Sequence, residues 1–258
     1  MILKVIICLL IPLLGTTLGS AMVFFLKKEI NPKFQKILLG FASGVMLAAA
    51  IWSLLQPAIN SFSPGDYKAW LIPTIGFLIG IGFLLLLDFL VPHTHIDKTE
   101  EGLSNNKLSR SFKMILAITI HNIPEGLAVG VVISGVLNNN MNFQSMLILA
   151  IGIAIQNFPE GAIVSMPLKN EGYSKFKAFM LGFMTGVVEP IASIFAILLT
   201  YFVSNILPIT LAFAAGAMIY VVCDELIPEA NQGEHSNVST IGIAIGFVLM
   251  MILDIALG

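Results

Sequence analysis

Two short segments concentrate side chains that could do chemistry. His121-Asn122-Ile123-Pro124-Glu125-Gly126 returns 35 residues later as Gln156-Asn157-Phe158-Pro159-Glu160-Gly161, each copy deep inside an apolar run. Imidazole nitrogen and carboxylate oxygen together suit zinc and the neighbouring divalent first-row ions. Residues at i and i+4 share a helix face, so His121 projects with Glu125, and Gln156 with Glu160. Asn122 and Asn157 stand at i+3 from the same glutamates. The pattern is not HExxH, because Glu125 occupies the place where a zincin needs its second histidine. That weighs against an intramembrane protease.

The prolines matter independently. Pro124 and Pro159 have no N–H, so the carbonyls of Ile120 and Ile155 lose their helical partners. In lipid those carbonyls need a cavity, a water or an ion, and kinked helices at the bilayer midplane are a transporter device. The glycine after each glutamate is expected to let the two motif helices approach each other. An ionisable group at membrane depth costs about 2.5–3.5 kcal/mol on insertion scales and so marks a site or a pathway. One buried His–Glu pair also fits a structural ion pair. Two copies, with Pro and Gly in register, point to a cation site in a transporter.

Other polar residues extend the pattern. Glu189, in Gly186-Val-Val-Glu-Pro190, adds a third carboxylate in mid-span. Asp88 and Glu229 lie near enough to the span ends to be solvated. Asp254, near the C-terminal end, is balanced between exposure and function, and Asp224 and Glu225 lean toward a pathway or polar-packing role. His93 and His95, in Pro92-His-Thr-His, are either solvated loop residues or a collecting point for a departing cation. His235 reads as a solvated loop histidine. Met46 offers a thioether to a soft metal, although position alone favours core packing.

The elements that carry these residues follow from composition. Of 258 residues, 57% are hydrophobic and 11% charged, and the mean hydropathy is +0.94. Soluble domains carry about 25% charged residues, so this is a polytopic integral membrane protein. A net charge of −2 argues against a nucleic-acid partner. Cys8 and Cys223 both sit in apolar runs and suggest buried packing rather than a disulfide.

A spanning helix needs ~20 apolar residues. The sequence predicts an all-α protein with eight, at about 3–26, 36–59, 69–91, 113–137, 144–168, 177–203, 208–229 and 238–257. The first has small residues at Gly19-Ser20-Ala21, but one lysine and a long apolar run make it a span rather than a signal peptide. Eleven of the 13 Lys and Arg flank the first, third and fifth loops, whereas Lys4 and Lys68 fall on the other side. The positive-inside rule then places both termini in the extracytoplasmic space. The third loop, about 92–112, is the longest and is expected to be flexible. Residues 1–258 form a single transmembrane domain, and recurring glycines (Gly76, Gly80 and Gly82; Gly242 and Gly246) suggest close helix packing.

HNIPEG followed by QNFPEG, on consecutive spans of an eight-span chain, resembles the Zrt/Irt-like (ZIP) divalent metal transporters, particularly the bacterial GufA-type branch. The resemblance covers essentially the whole chain. It implies a binuclear-type metal site between the fourth and fifth helices and net movement of zinc or related cations into the cytoplasm. It also implies a multi-pass bacterial inner-membrane location and a homodimer. The first metal position would use His121, Glu125, Gln156 and Glu160. The second would use Asn122, Asn157 and Glu189 and share the motif glutamates. Met46 matches a position that lines the site in GufA-type relatives, and His93 and His95 match the cytoplasmic exit. Gln156 replaces a His common in the family, and Asn157 an Asp found in some relatives, which leaves cadmium, iron and manganese as further substrates. No prosthetic group is implied.

Three carboxyls this close are not expected all to ionise without a cation, so metal binding should release protons. The alternatives are a membrane-embedded metalloenzyme, in which a retained metal activates water, and a metal sensor without flux.

Overall fold

The computed structural model describes residues 1–25, 31–91, 93–94, 100–101, 110–201, 206–233 and 237–257. Eight helices follow the expected spans closely. They are α1 (Ile2–Phe25), α2 (Pro32–Asn60), α3 (Lys68–Leu90), α4 (Arg110–Leu137), α5 (Phe143–Asn170), α6 (Lys175–Tyr201), α7 (Leu207–Ala230) and α8 (Val238–Leu257). Each is long and apolar enough to cross a membrane. Local chemistry sets their ends. Asn31 caps α2 by accepting from the Lys33 N–H at 2.9 Å, ahead of Pro32. Asn142 caps α5 by accepting from the Ser145 N–H at 2.8 Å. At the other end of α5, Gly172 takes a φ of +98°, which lets the chain reverse into α6 within a few residues.

Among the described residues of the third loop there is a short strand pair. His93–Thr94 pairs antiparallel with Glu100–Glu101, His93 opposite Glu101, and the first strand lies beside α4. His95 and His235 lie outside the described residues, as does the side chain of His93.

Two groups of helices emerge from the packing. α1 packs on α5 and α6, and α4 on α6; separately, α2 packs on α8 and α3 on α7. The groups meet mainly where α2 crosses α5 and α4 crosses α7. Between 56% and 72% of the apolar stretch of α2, α4, α5 and α7 is buried, against 17–39% for α1, α3, α6 and α8. The motif helices are therefore central, as expected, and α2 and α7 share that position. Glycines make several of the crossings possible. Gly76 and Gly80 face the α7 backbone at Ile209 and Phe213, and Gly242 and Gly246 face α2 at Ile37 and Phe41. Gly82 departs from expectation, since nothing lies within 4 Å of the place its Cβ would take.

The helical register breaks where the sequence did not lead us to expect it. α4 and α5 stay helical through Pro124 and Pro159. α2 and α7 instead each contain a π-helical segment, Ala50–Leu55 and Val222–Leu226. Both precede a proline, Pro57 and Pro228, and both follow a related hexapeptide, Phe41-Ala-Ser-Gly-Val-Met46 and Phe213-Ala-Ala-Gly-Ala-Met218. Wider turns of this kind occur frequently at functional sites because they re-aim side chains.

Candidate metal centre

The twin motifs converge in the middle of α4 and α5, joined by Glu189 of α6. Asn122, Glu125, Gln156 and Asn157 are fully buried, and Glu189, His121 and Glu160 nearly so. Glu125, Glu160 and Glu189 lie close enough for their charges to repel. Both oxygens of Glu125, Glu160 Oε2, Glu189 Oε2, Asn122 Oδ1 and Gln156 Oε1 are buried with no hydrogen-bond donor among the described residues. Leaving one such acceptor dry costs about 1–3 kcal/mol, more if charged. A convergent set of orphaned oxygens is what a desolvated cation satisfies, so the residues fit a divalent metal substrate.

The amides show how the site is held. Asn122 Nδ2 donates to the Thr185 carbonyl of α6 at 3.0 Å, which turns its Oδ1 free. Asn157 Nδ2 donates to the Pro12 carbonyl of α1 at 3.4 Å. Asn157 Oδ1, however, accepts from Gln156 Nε2. That hydrogen bond occupies one of the oxygen's two lone pairs and leaves one for a metal. Glu189 Oε1 accepts from Thr16 Oγ1 at 3.0 Å.

The motif glycines do not bring α4 and α5 together. Gly126 faces the α6 backbone at Glu189 and Gly161 faces the α1 backbone at Thr16. Hydrogen bonds to their carbonyls seal both contacts, from Ser193 Oγ to Gly126 at 2.7 Å and from Ser20 Oγ to Gly161 at 3.3 Å. Each motif helix is thus clamped to an outer neighbour, and the inner faces of α4 and α5 stay open for ligands.

Toward the face that carries the basic loops, a cleft borders the site. Leu39, Met114, His121, Glu160, Ile163, Glu225 and Glu229 are among the residues lining it. His121 Nε2 contacts Glu225 Oε1, which joins the two helix groups. Glu225 lies in the α7 π-helical segment beside Asp224, and both approach Asp88 of α3 with one carboxylate oxygen each within 4.8 Å. Asp88, expected to be solvated, is buried (3% exposed), while Asp224 is exposed. The structure places Asp224 and Glu225 together beside Asp88, where the sequence left a pathway role and polar packing both open. Sequence reasoning missed the His121–Glu225 contact. The Phe-Ala-x-Gly-x-Met repeat with its following prolines was the available signal for the bend that aims Glu225.

On the opposite face, Ser53 Oγ donates to Asp254 Oδ1 at 2.7 Å. Gln56, Met141 and Ser145 line the cleft around that pair, so Asp254 is half-buried and engaged. Met46 is fully buried in the apolar core, and the α2 wall of the cleft beside the site is Leu39. Cys8 is buried as expected, whereas Cys223 is exposed.

The chain is similar to known proteins along most of its length. The model of the family described as ZIP Zinc transporter matches residues 93–254. The "Zinc transporter ZIP11" of Homo sapiens is 35% identical over 95% of this chain and 94% of its own length. The "Zinc transporter GufA" of Myxococcus xanthus is 36% identical, covering 95% and 96%. The "Zinc transporter ZupT" of Chlorobaculum parvum is 35% identical, covering 95% and 93%. With the duplicated motif at the centre of eight apolar helices, and similarity running along nearly its whole length, the chain belongs to the ZIP zinc transporter family.

Proposed function

We propose that this protein carries zinc and chemically related divalent cations across a bacterial inner membrane into the cytoplasm. The observation that carries the proposal is the convergence of orphaned carboxylate and amide oxygens at the twin motifs. The cation arrives through the cleft at Asp254, exchanges water for Glu125, Glu160 and their neighbours, and leaves past His121 and Glu225. In this reading, His121, Glu125, Gln156 and Glu160 form the first metal position. Asn122, Asn157 and Glu189 form the second, with Asn157 the weaker member because its oxygen is engaged by Gln156. The acidic group of Asp88, Asp224 and Glu225 receives the ion on the way out, ahead of His93 and His95.

Alternating access requires the site to face the two sides in turn. The group α1, α4, α5 and α6 carries every motif ligand and is clamped internally, so it is the unit that moves against α2, α3, α7 and α8. His121–Glu225 is the contact such motion must break. Gln156 and Asn157 make the donor set richer in neutral oxygen than a His/Asp pair would, which leaves cadmium, iron and manganese as accompanying substrates. The family resemblance adds a homodimer to this reading.

Radioactive zinc uptake into proteoliposomes tests the proposal, with the native protein beside a Glu125→Ala plus Glu160→Ala variant. Saturable uptake lost in the variant is expected. Equal flux in both would remove the motifs from the mechanism. Binding without flux would favour a sensor.

A further inference from the structure

The site carries an internal two-fold pattern with one position out of step. Asn122 of α4 donates to the carbonyl of residue 185 in α6, and Asn157 of α5 donates to that of residue 12 in α1. Ser193 of α6 donates to the Gly126 carbonyl, and Ser20 of α1 to the Gly161 carbonyl. Each α4 residue maps 35 positions onwards into α5, and each α1 residue maps 173 positions onwards into α6. Five helices separate α1 from α6 in number, so in a membrane they run in opposite directions and the relation is an inverted one. Under this mapping Glu189 has a partner, and it is Thr16. Where α6 presents a carboxylate to the site, α1 presents a hydroxyl.

Thr16 is buried and makes a contact the motifs do not provide. Its Oγ1 donates to Glu189 Oε1 at 3.0 Å, while Glu189 Oε2 is left without a donor. A hydrogen bond to one oxygen of a carboxylate fixes the rotamer and leaves the other oxygen aimed at the ligand position. Thr16 Cβ, Cγ2 and Oγ1 all border the space over Gly186, so the whole side chain packs there while its hydroxyl also reaches Glu189. Only the hydroxyl can donate to Glu189, so substitution can separate hydrogen bonding from packing.

We propose that Thr16 is a positioning residue of the metal site, its hydroxyl aligning Glu189 for the cation from the place where the internal two-fold would put a fourth carboxylate. This rests on the metal-binding reading above. The test is equilibrium zinc binding to the full-length purified protein, with Thr16→Val and Thr16→Ser beside the native chain. Valine keeps the methyl packing and removes the donor, whereas serine keeps the donor and removes the methyl. Loss of a hydrogen bond to a charged group should weaken zinc binding roughly tenfold in Thr16→Val. Thr16→Ser should stay within about threefold of native, although its thermal midpoint falls from lost packing. Native-like zinc binding by Thr16→Val would overturn the proposal, as would equal weakening in both variants. If the native chain itself bound no zinc, cadmium or manganese, the transport reading would fail instead, so the two failures are distinguishable.

Discussion

Gly126→Ala offers a sharp test of how helix packing supports the metal site. A Cβ at 126 would lie 2.8 Å from Ala192 Cβ and 2.8 Å from Glu189 Cα, and nearer still to the Glu189 carbonyl oxygen. Ordinary contact begins near 3.4 Å and the Glu189 carbonyl oxygen would lie nearest of all, so α6 must withdraw from α4 by roughly 1 Å. The Ser193–Gly126 hydrogen bond of 2.7 Å stretches with it. Overpacking of this kind costs about 1–3 kcal/mol, and the gain in helix propensity offsets at most ~1 kcal/mol. Gly82→Ala is the control, because nothing lies within 4 Å of the added methyl.

The functional consequence follows from which atoms move. Glu189 sits on the stretch of α6 that must retreat, and binding constellations tolerate only ~0.5 Å of displacement. Zinc affinity of Gly126→Ala should therefore fall roughly tenfold, by analogy with the sensitivity of reactive geometry to ångström shifts. Calorimetric zinc titration and thermal unfolding of the two purified variants measure both effects. If Gly126→Ala matches Gly82→Ala in affinity and midpoint, the account of α4 clamped to α6 through this glycine is wrong.

Two further outcomes are expected. Acid should compete with the metal. A protonated carboxyl is no ligand, so affinity is present at higher pH and lost as pH falls. With one proton released per ion, going from about pH 7.5 to about pH 5.5 should weaken zinc binding up to roughly a hundredfold. Titrations in buffers of different ionisation enthalpy count the protons, and affinity unchanged across that range would contradict the crowding of carboxylates. Glu225→Gln removes the anion that His121 meets across the two helix groups. Uptake at saturating zinc should fall at least about tenfold while equilibrium affinity shifts by less than about threefold, the pattern of a residue on the path rather than in the site. The reverse pattern would place Glu225 among the primary ligands.

Much of this molecule is legible from its residues in order. Eight apolar stretches separated by polar segments fix eight helices, because no other open structure satisfies the backbone in lipid. The duplicated His/Gln-Asn-x-Pro-Glu-Gly segments single out the proposed metal ligands, since buried carboxylates are too costly to occur twice in register by chance. Glu189 stands out for the same reason. Which helices meet is another matter. Lipid-facing and protein-facing surfaces are both apolar in a membrane, so periodicity does not choose a partner. That is why Gly126 and Gly161 read as a contact between α4 and α5, whereas they seat α6 and α1. The same lack of signal hid the wide turn that points Glu225 at His121, the burial of Asp88 beside Asp224, and the hydroxyl of Thr16 on Glu189. Sequence determined the proposed ligands and the medium. Tertiary structure alone decided their neighbours, because those contacts join residues as many as 173 positions apart through backbones that only small side chains allow to touch.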